Sequence, residues 1–271
     1  MSGFAIAWLD LREGADRRAR DAALAGAALQ WLRQHGGATS PIVVDLGAGT
    51  GSTLRALSGA GDSLWRLVDH DASLLVEALK RHGRQCVIED YQADLAAIAE
   101  LPLGGATLVT ASALFDLVSA GFVERLVARL AGQRTALYAA LNYDGITAWT
   151  PVHPLDEVVL AAFNRDQRRD KGLGPALGPD AVAYLRAALE QVGFSVQVAV
   201  SPWRLGPADQ ALVAELVRGS AAAVAEGYGL DAAQLQAWQE FRLAHAGYGS
   251  CIVGHLDLLA LPPAVNPELP S

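Results

Sequence analysis

This chain has few cysteines, few cations and no long apolar run, and each shortage removes a class of function. Its two cysteines, Cys86 and Cys251, form no Cys-x-x-Cys pair, and no histidine set has metal-ligand spacing. Both cysteines fall in predicted strands and read as reduced core thiols of a cytoplasmic protein, with no metal site expected. Lys and Arg total 21 against 29 Asp and Glu, a formal net charge of -8, and the pI is near 5.2. Gripping a phosphate backbone draws on clustered cations, so the composition argues against a nucleic-acid partner and for a small-molecule one. No apolar run approaches the ~20 residues that span a bilayer, and the basic-then-apolar pattern of a signal peptide is missing. A soluble chain with no membrane partner is expected. The alanine-heavy stretch from 21 to 32 is flanked by Arg17, Arg18, Arg20 and Arg33 and reads as an amphipathic helix. There is no internal repeat or heptad array, and only the Pro-rich end, 261 to 271, reads as a disordered tail.

What is present is ample material for a core: 271 residues, 52% of them hydrophobic, fit one large α/β domain over 1 to 260. Strand and helix signals alternate from Pro41 onward, which predicts a mostly parallel sheet with helices on both faces. Strands are expected at 43 to 46, 64 to 69, 85 to 89, 107 to 111, 135 to 141, 194 to 200 and 251 to 259. Helices are expected near 16 to 34, 52 to 60, 72 to 82, 93 to 100, 121 to 131, 155 to 169, 180 to 192, 207 to 226 and 231 to 245. The first 40 residues would form a helical cap, and the segments 142 to 178 and 204 to 248 would be insertions on the substrate side.

The richest local signal is Val43-Val44-Asp45-Leu46-Gly47-Ala48-Gly49-Thr50-Gly51, an apolar run ending in an acid and then glycines at every second position. Without Cβ atoms such glycines take positive φ and let backbone approach a ligand closely. The helix that follows would aim free N–H groups at it. A dinucleotide fingerprint needs its third glycine or alanine where Ser52 stands. Asp45 would repel a pyrophosphate and welcome an ammonium, so an aminoacyl nucleoside fits better. A second strand ends in Asp69, about 20 residues past the glycines, the interval of a ribose-binding carboxylate. Asp71 fits a helix N-cap.

These residues resemble the class I S-adenosylmethionine-dependent methyltransferases, whose first motif has the form [DE]-x-G-x-G-x-G. The resemblance is strongest from Pro41 to about Val118 and topological beyond. It implies a Rossmann-like seven-stranded sheet whose last strand is antiparallel, extra helices after strands five and six, and S-adenosyl-L-methionine as cofactor. It assigns the methionine portion to Asp45, Gly47, Ala48, Gly49 and Gly51, the ribose to Asp69 with His70 beside it, and the adenine to Asp94 and Leu95. Asp94 reads equally as a helix cap. Ser112, after strand four, would lie by the sulfonium. An aminopropyl transferase on the same scaffold and a non-catalytic cofactor-binding or scaffold subunit are the rival readings.

Ligands of open α/β sheets bind beyond the carboxyl ends of the strands, which selects Ser112, Phe115, Asp116, Asn142, Tyr143 and Asp144 as acceptor-side candidates. Asp116, Tyr143 and His153 are the candidates for proton transfer; His153 is singled out because imidazole titrates near working pH. Asn164, Arg165, Arg168 and Lys171 belong to a cation-rich run from 163 to 172. That run reads either as a solvated, self-paired face or as an anion clamp for an acidic acceptor, hinged at Gly172 to Pro175. Trp8 and Arg12, ahead of the sheet, either close over the site or serve as a core tryptophan and a surface arginine.

Overall fold

The structure, a computed structural model, describes residues 5–35, 40–226 and 228–264. Most of the tail expected from 261 lies outside the described residues. The central strand β1 (Ile42–Leu46) is flanked by β2 (Leu64–Asp69) and β4 (Leu108–Ser112), all parallel, with β3 (Val87–Gln92) beyond β2. Val43, Val44 and Leu46 are fully buried, as a parallel strand covered on both faces requires. On the other side β5 (Ala136–Thr150) runs parallel to β4, and β8 (Ser250–Leu261) inserts antiparallel between β5 and β6 (Ser195–Val200). The order is β3-β2-β1-β4-β5-β8-β6, the seven-stranded arrangement expected. An eighth strand, the three-residue β7 (Trp203–Leu205), pairs with the start of β8.

Helices α2 (Ala22–His35) and α4 (Ala72–His82) pack one face of the sheet, while α5 (Ala120–Gln133) and α7 (Ala181–Gln191) pack the other. Asp71 caps α4, its carboxylate accepting from Ser73 N at 2.8 Å. A third apolar cluster gathers α6 (Asp156–Gln167), α8 (Gln210–Val224) and α9 (Ala232–His245) around β7 and the far end of β5. Within it Arg242, almost fully buried, grips Asp156, to which Trp238 Nε1 also donates at 2.9 Å. Among the described residues no helix is long and apolar enough to cross a membrane.

Three expectations are corrected. The single helix over 16 to 34 is two, α1 (Ile6–Ala19) and α2, because Asp21 caps α2 through Leu24 N while its own N–H is held by Asp257. The helix over 93 to 100 is one 3-10 turn at Ile98–Glu100, with Pro102 and Gly104 close behind. Strand five does not stop at 141. Asn142, Asp144 and Gly145 are poor strand formers, yet β8 pairs with Asn142 and Tyr143 and resumes at Thr147, with Asp144 and Gly145 bulged between them, and 146 to 150 alternate outward and inward. Asp257 on β8 locks this bend, accepting from Leu141 N at 2.8 Å and Tyr138 Oη at 3.2 Å.

Candidate active site

The turn after β1 is set by backbone bonds of its own: Ala48 N donates to Val68 O and Gly51 N to Ala48 O. It carries φ of 53° at Gly49 and 83° at Gly51. Gly51 sits behind the turn, where a Cβ would come within 3.1 Å of His82 Cδ2. The five-residue α3 (Ser52–Ala56) starts there. Gly49 N donates to Asp69 Oδ2 at 2.9 Å, and Asp71 N donates to Asp69 Oδ1 at 3.0 Å. Each carboxylate oxygen keeps a second lone pair for a ligand hydroxyl. His70 Nδ1 stands 3.2 Å from the same carboxylate. Gly47, Gly49, Asp69, His70, Leu95 and Ser112 line a cleft at these strand ends, roofed by Leu9 of α1 and walled by Leu74, Leu114 and Leu117. Ala48 is buried in the turn, and Asp94 is exposed, its carboxylate accepting from Ala96 N at 2.9 Å rather than lining the cleft.

Asp45 lies beneath, 1% exposed. Its Oδ1 accepts from Thr110 Oγ1 at 2.7 Å, and its Oδ2 has no partner. Burial pushes its pKa up to about 7, against the opposing pull of Thr110 and Arg20. Arg20, at the junction of α1 and α2, donates from Nη2 to Ser112 Oγ at 2.8 Å, and its buried Nη1 has no partner. One cationic donor and one carboxylate oxygen are thus left open beside Ser112. Buried polar groups are rarely left so without a ligand or water to meet them. Arg20 carries no motif signal; only the helix break brings it to the strand ends.

A second cavity, of about 230 Å³, shares Arg12, Ala113 and Leu117 with the cleft. Its walls are Trp8, Tyr143, Trp149, Phe163 and Trp203, with Asp116 and His255 among them. Arg12 is bidentate to Asp16 at 2.9 and 3.2 Å and lies 5.0 Å over the Trp203 ring. Tyr143 Oη donates to Asn164 Oδ1 at 2.9 Å, and burial above all pushes its pKa up to about 12. Burial pushes Asp116 up to about 6 and His255 down to about 3. Asp116 Oδ1, His255 Nδ1 and Trp8 Nε1 are all buried without a partner.

Several expected residues stand elsewhere. Phe115 is fully buried in the core, where its N–H faces Asn142 Oδ1 at 3.3 Å, so the neighbouring Leu114 and Leu117 take the lining positions. His153 lines neither cavity: its Nδ1 accepts from Leu155 N at 3.2 Å in the turn that starts α6. Arg168 pairs with Asp180, Lys171 with the buried Asp166, and Arg165 lies 5.5 Å over the Tyr228 ring. The cations of the 163 to 172 run are therefore occupied and line neither cavity. His255 reads from the sequence as a structural strand residue, and Trp149 and Trp203 carry no signal, because strand aromatics far apart in sequence have no spacing that marks a shared wall.

No family model and no curated protein matches the chain. Solved structures do. A protein of Bacillus halodurans C-125, provisionally named a methyltransferase, is 14% identical over 88% of this chain and 100% of its own, with a TM-score of 0.50. A cyclopropane-fatty-acyl-phospholipid synthase-like protein of Lactobacillus casei ATCC 334 is 12% identical over 92% of this chain and 99% of its own, also at 0.50. An S-adenosylmethionine-dependent methyltransferase of Geobacter sulfurreducens, solved with S-adenosyl-L-homocysteine, is 16% identical over 96% and 100%, at 0.47. At such identities the likeness is one of fold: the chain has the Rossmann-like architecture of the class I methyltransferases.

Proposed function

We propose that this chain binds S-adenosyl-L-methionine in the cleft above β1, β2 and β4 and transfers its methyl group to a small molecule seated in the adjoining cavity. The observation that carries the reading is the buried carboxylate of Asp69, tied to Gly49 N at the mouth of a positive-φ turn, with lone pairs to spare for vicinal hydroxyls. Asp69 would hold the ribose, and Leu74, Leu95 and Leu114 would enclose the adenine. Arg20 and Asp45, each with an unpaired buried atom, would meet the carboxylate and ammonium of the methionine portion. An unpaired guanidinium nitrogen favours a cofactor that keeps its carboxylate and so supports this reading over the aminopropyl one.

When bound, the cofactor supplies an already activated methyl donor. What remains for the protein is to exclude water and hold the acceptor in line, which accounts for much of the acceleration of such reactions. Leu9 and Arg12 of α1 close the cleft on one side, and Ala113 and Leu117 stand where cleft and cavity meet. The two cysteines are unpaired, in keeping with a reducing cytosol.

Calorimetric titration with S-adenosylhomocysteine tests the reading. Micromolar binding by the parent protein is expected, lost in folded Asp69→Ala and Gly49→Val. A folded parent protein that binds none of it would overturn the proposal and favour a scaffold role.

A further inference from the structure

Four titratable side chains line the second cavity: Arg12, Asp116, Tyr143 and His255. Three of them present no net charge to it. Arg12 is neutralised by Asp16, Tyr143 is a phenol donating to Asn164, and His255 is an uncharged imidazole. Lys171, the other cation whose field reaches Asp116, is paired with Asp166. Asp116 is left as the uncompensated charge, 7% exposed, with Oδ1 unpartnered. Around it stand the rings of Trp8, Tyr143, Trp149, Phe163 and Trp203. A buried carboxylate without a partner is costly, and aromatic faces attract cations and repel anions. The enclosure is therefore complementary to one positive charge on an apolar body. An apolar cavity of roughly 150 Å³ accepts a benzene ring, so the 230 Å³ here holds one ring with a short arm.

We propose that the methyl acceptor is an amine, a molecule with a ring-sized apolar body whose protonated nitrogen donates to Asp116 while the body packs among the five aromatic walls. The nitrogen would pass that proton to the Asp116 carboxylate, and its freed lone pair would form the N–CH3 bond as the S–CH3 bond of the cofactor breaks, leaving the methylated amine and S-adenosylhomocysteine. That this ligand is an acceptor rests on the cofactor reading of the neighbouring cleft; that an amine binds here does not. The proposal replaces the acidic acceptor that the 163 to 172 run suggested, since those cations are held by Asp166, Asp180 and the Tyr228 ring.

Three tryptophans in the wall make binding visible by fluorescence, without turnover. The full chain would be titrated with phenethylamine, phenethyl alcohol and hydrocinnamate, which share a ring and differ in charge. The amine is expected to bind roughly tenfold or more tightly than the alcohol, the gain of a charge-assisted hydrogen bond, and the carboxylate more weakly than either. Asp116→Asn should remove the advantage of the amine over the alcohol. Ser220→Phe, which fills the cavity from α8, should weaken all three probes. An alcohol or carboxylate that binds as tightly as the amine would overturn the proposal. So would an amine preference unchanged in Asp116→Asn, probe affinities unchanged in Ser220→Phe, or a folded protein that binds no probe. Parallel titration with S-adenosylhomocysteine separates the two readings: amine binding without it leaves the amine site standing and removes the cofactor.

Discussion

Gly49 and Asp69 are joined across 20 residues of sequence by a 2.9 Å bond from the glycine N–H to the aspartate carboxylate. The bond fastens the turn after β1 to the end of β2, so the Asp69 carboxylate and the glycine backbone are placed as one unit before any ligand arrives. Preorganisation of this kind removes part of the ordering cost of binding.

Gly49→Ala is expected to damage that unit in two ways. The residue would be strained at its φ of 53°, and its Cβ would press on Leu9 Cδ1 at 3.1 Å. A stability loss of about 1–2 kcal/mol by urea denaturation should accompany a clear fall in S-adenosylhomocysteine affinity. Adding Leu9→Ala relieves the contact but not the backbone, so only part of the affinity should return.

Asp45 gives the protein a pH signature. Burial raises its pKa from 3.8 to about 7, with Arg20 and Asp69 the charges that act on it and Thr110 its hydrogen-bond partner. Below the lower value folded and unfolded chains both hold the proton. Between the two values the unfolded chain releases a proton that the folded chain keeps, so this group's contribution to stability falls as pH rises and levels off above about 7. Asp45→Asn should flatten that slope, gaining on the parent protein between pH 5 and pH 8 when urea midpoints are compared. A slope identical in both proteins would contradict the assignment.

Asp257 accepts from Asp21 N, Leu141 N and Tyr138 Oη, and so ties the α2 start and the β5 bend to β8. Asp257→Ala would leave these donors without an acceptor, at a cost of about 3 kcal/mol or more. Asp257→Asn, which keeps one acceptor oxygen, should lose less. Equilibrium urea unfolding distinguishes the two.

Asp156→Ala should be similarly severe, because it would leave the Arg242 guanidinium, 1% exposed as a side chain, without its counter-charge. Breaking a buried pair from one side costs about 3–5 kcal/mol. Arg242 also lies 5.1 Å over the Trp149 ring, a wall of the second cavity, so probe binding should weaken together with stability.

The cleft proposed for the cofactor was largely readable as a place in the fold because its residues are local: a buried strand, an acid, alternating glycines, and a second strand ending in Asp69 all fall within 30 residues. Its leucine lining was not, since Leu9, Leu74 and Leu114 look like any helix or core leucine. Arg20 was hidden by the break between α1 and α2, which depends on Asp257 more than 200 residues away. The second cavity was legible only in pieces. Trp8, Asp116 and Tyr143 were marked by their place before the sheet or after its strands. Trp203 and His255 enter through β7 and β8, whose pairing no local pattern encodes. The continuation of β5 past 141 was hidden for the same reason, because β8 pairs on both sides of the bulge that holds Asp144 and Gly145.

The place of β8 sets a schedule for the growing chain. A polypeptide leaves the ribosome from its N-terminus, so β1 to β4, with the glycine turn and Asp69, can pair well before β8 emerges. Strands β5 and β6 cannot be bridged until then, because the strand between them follows both in the sequence. For that interval two bare edges of the sheet stand open, the condition under which strands pair with the wrong neighbour. Arrival of β8 closes both edges at once and brings Asp257 to the β5 bend. The half that holds the glycine turn and Asp69 is thus free to form early, while the walls of the second cavity are completed only by the closing strand.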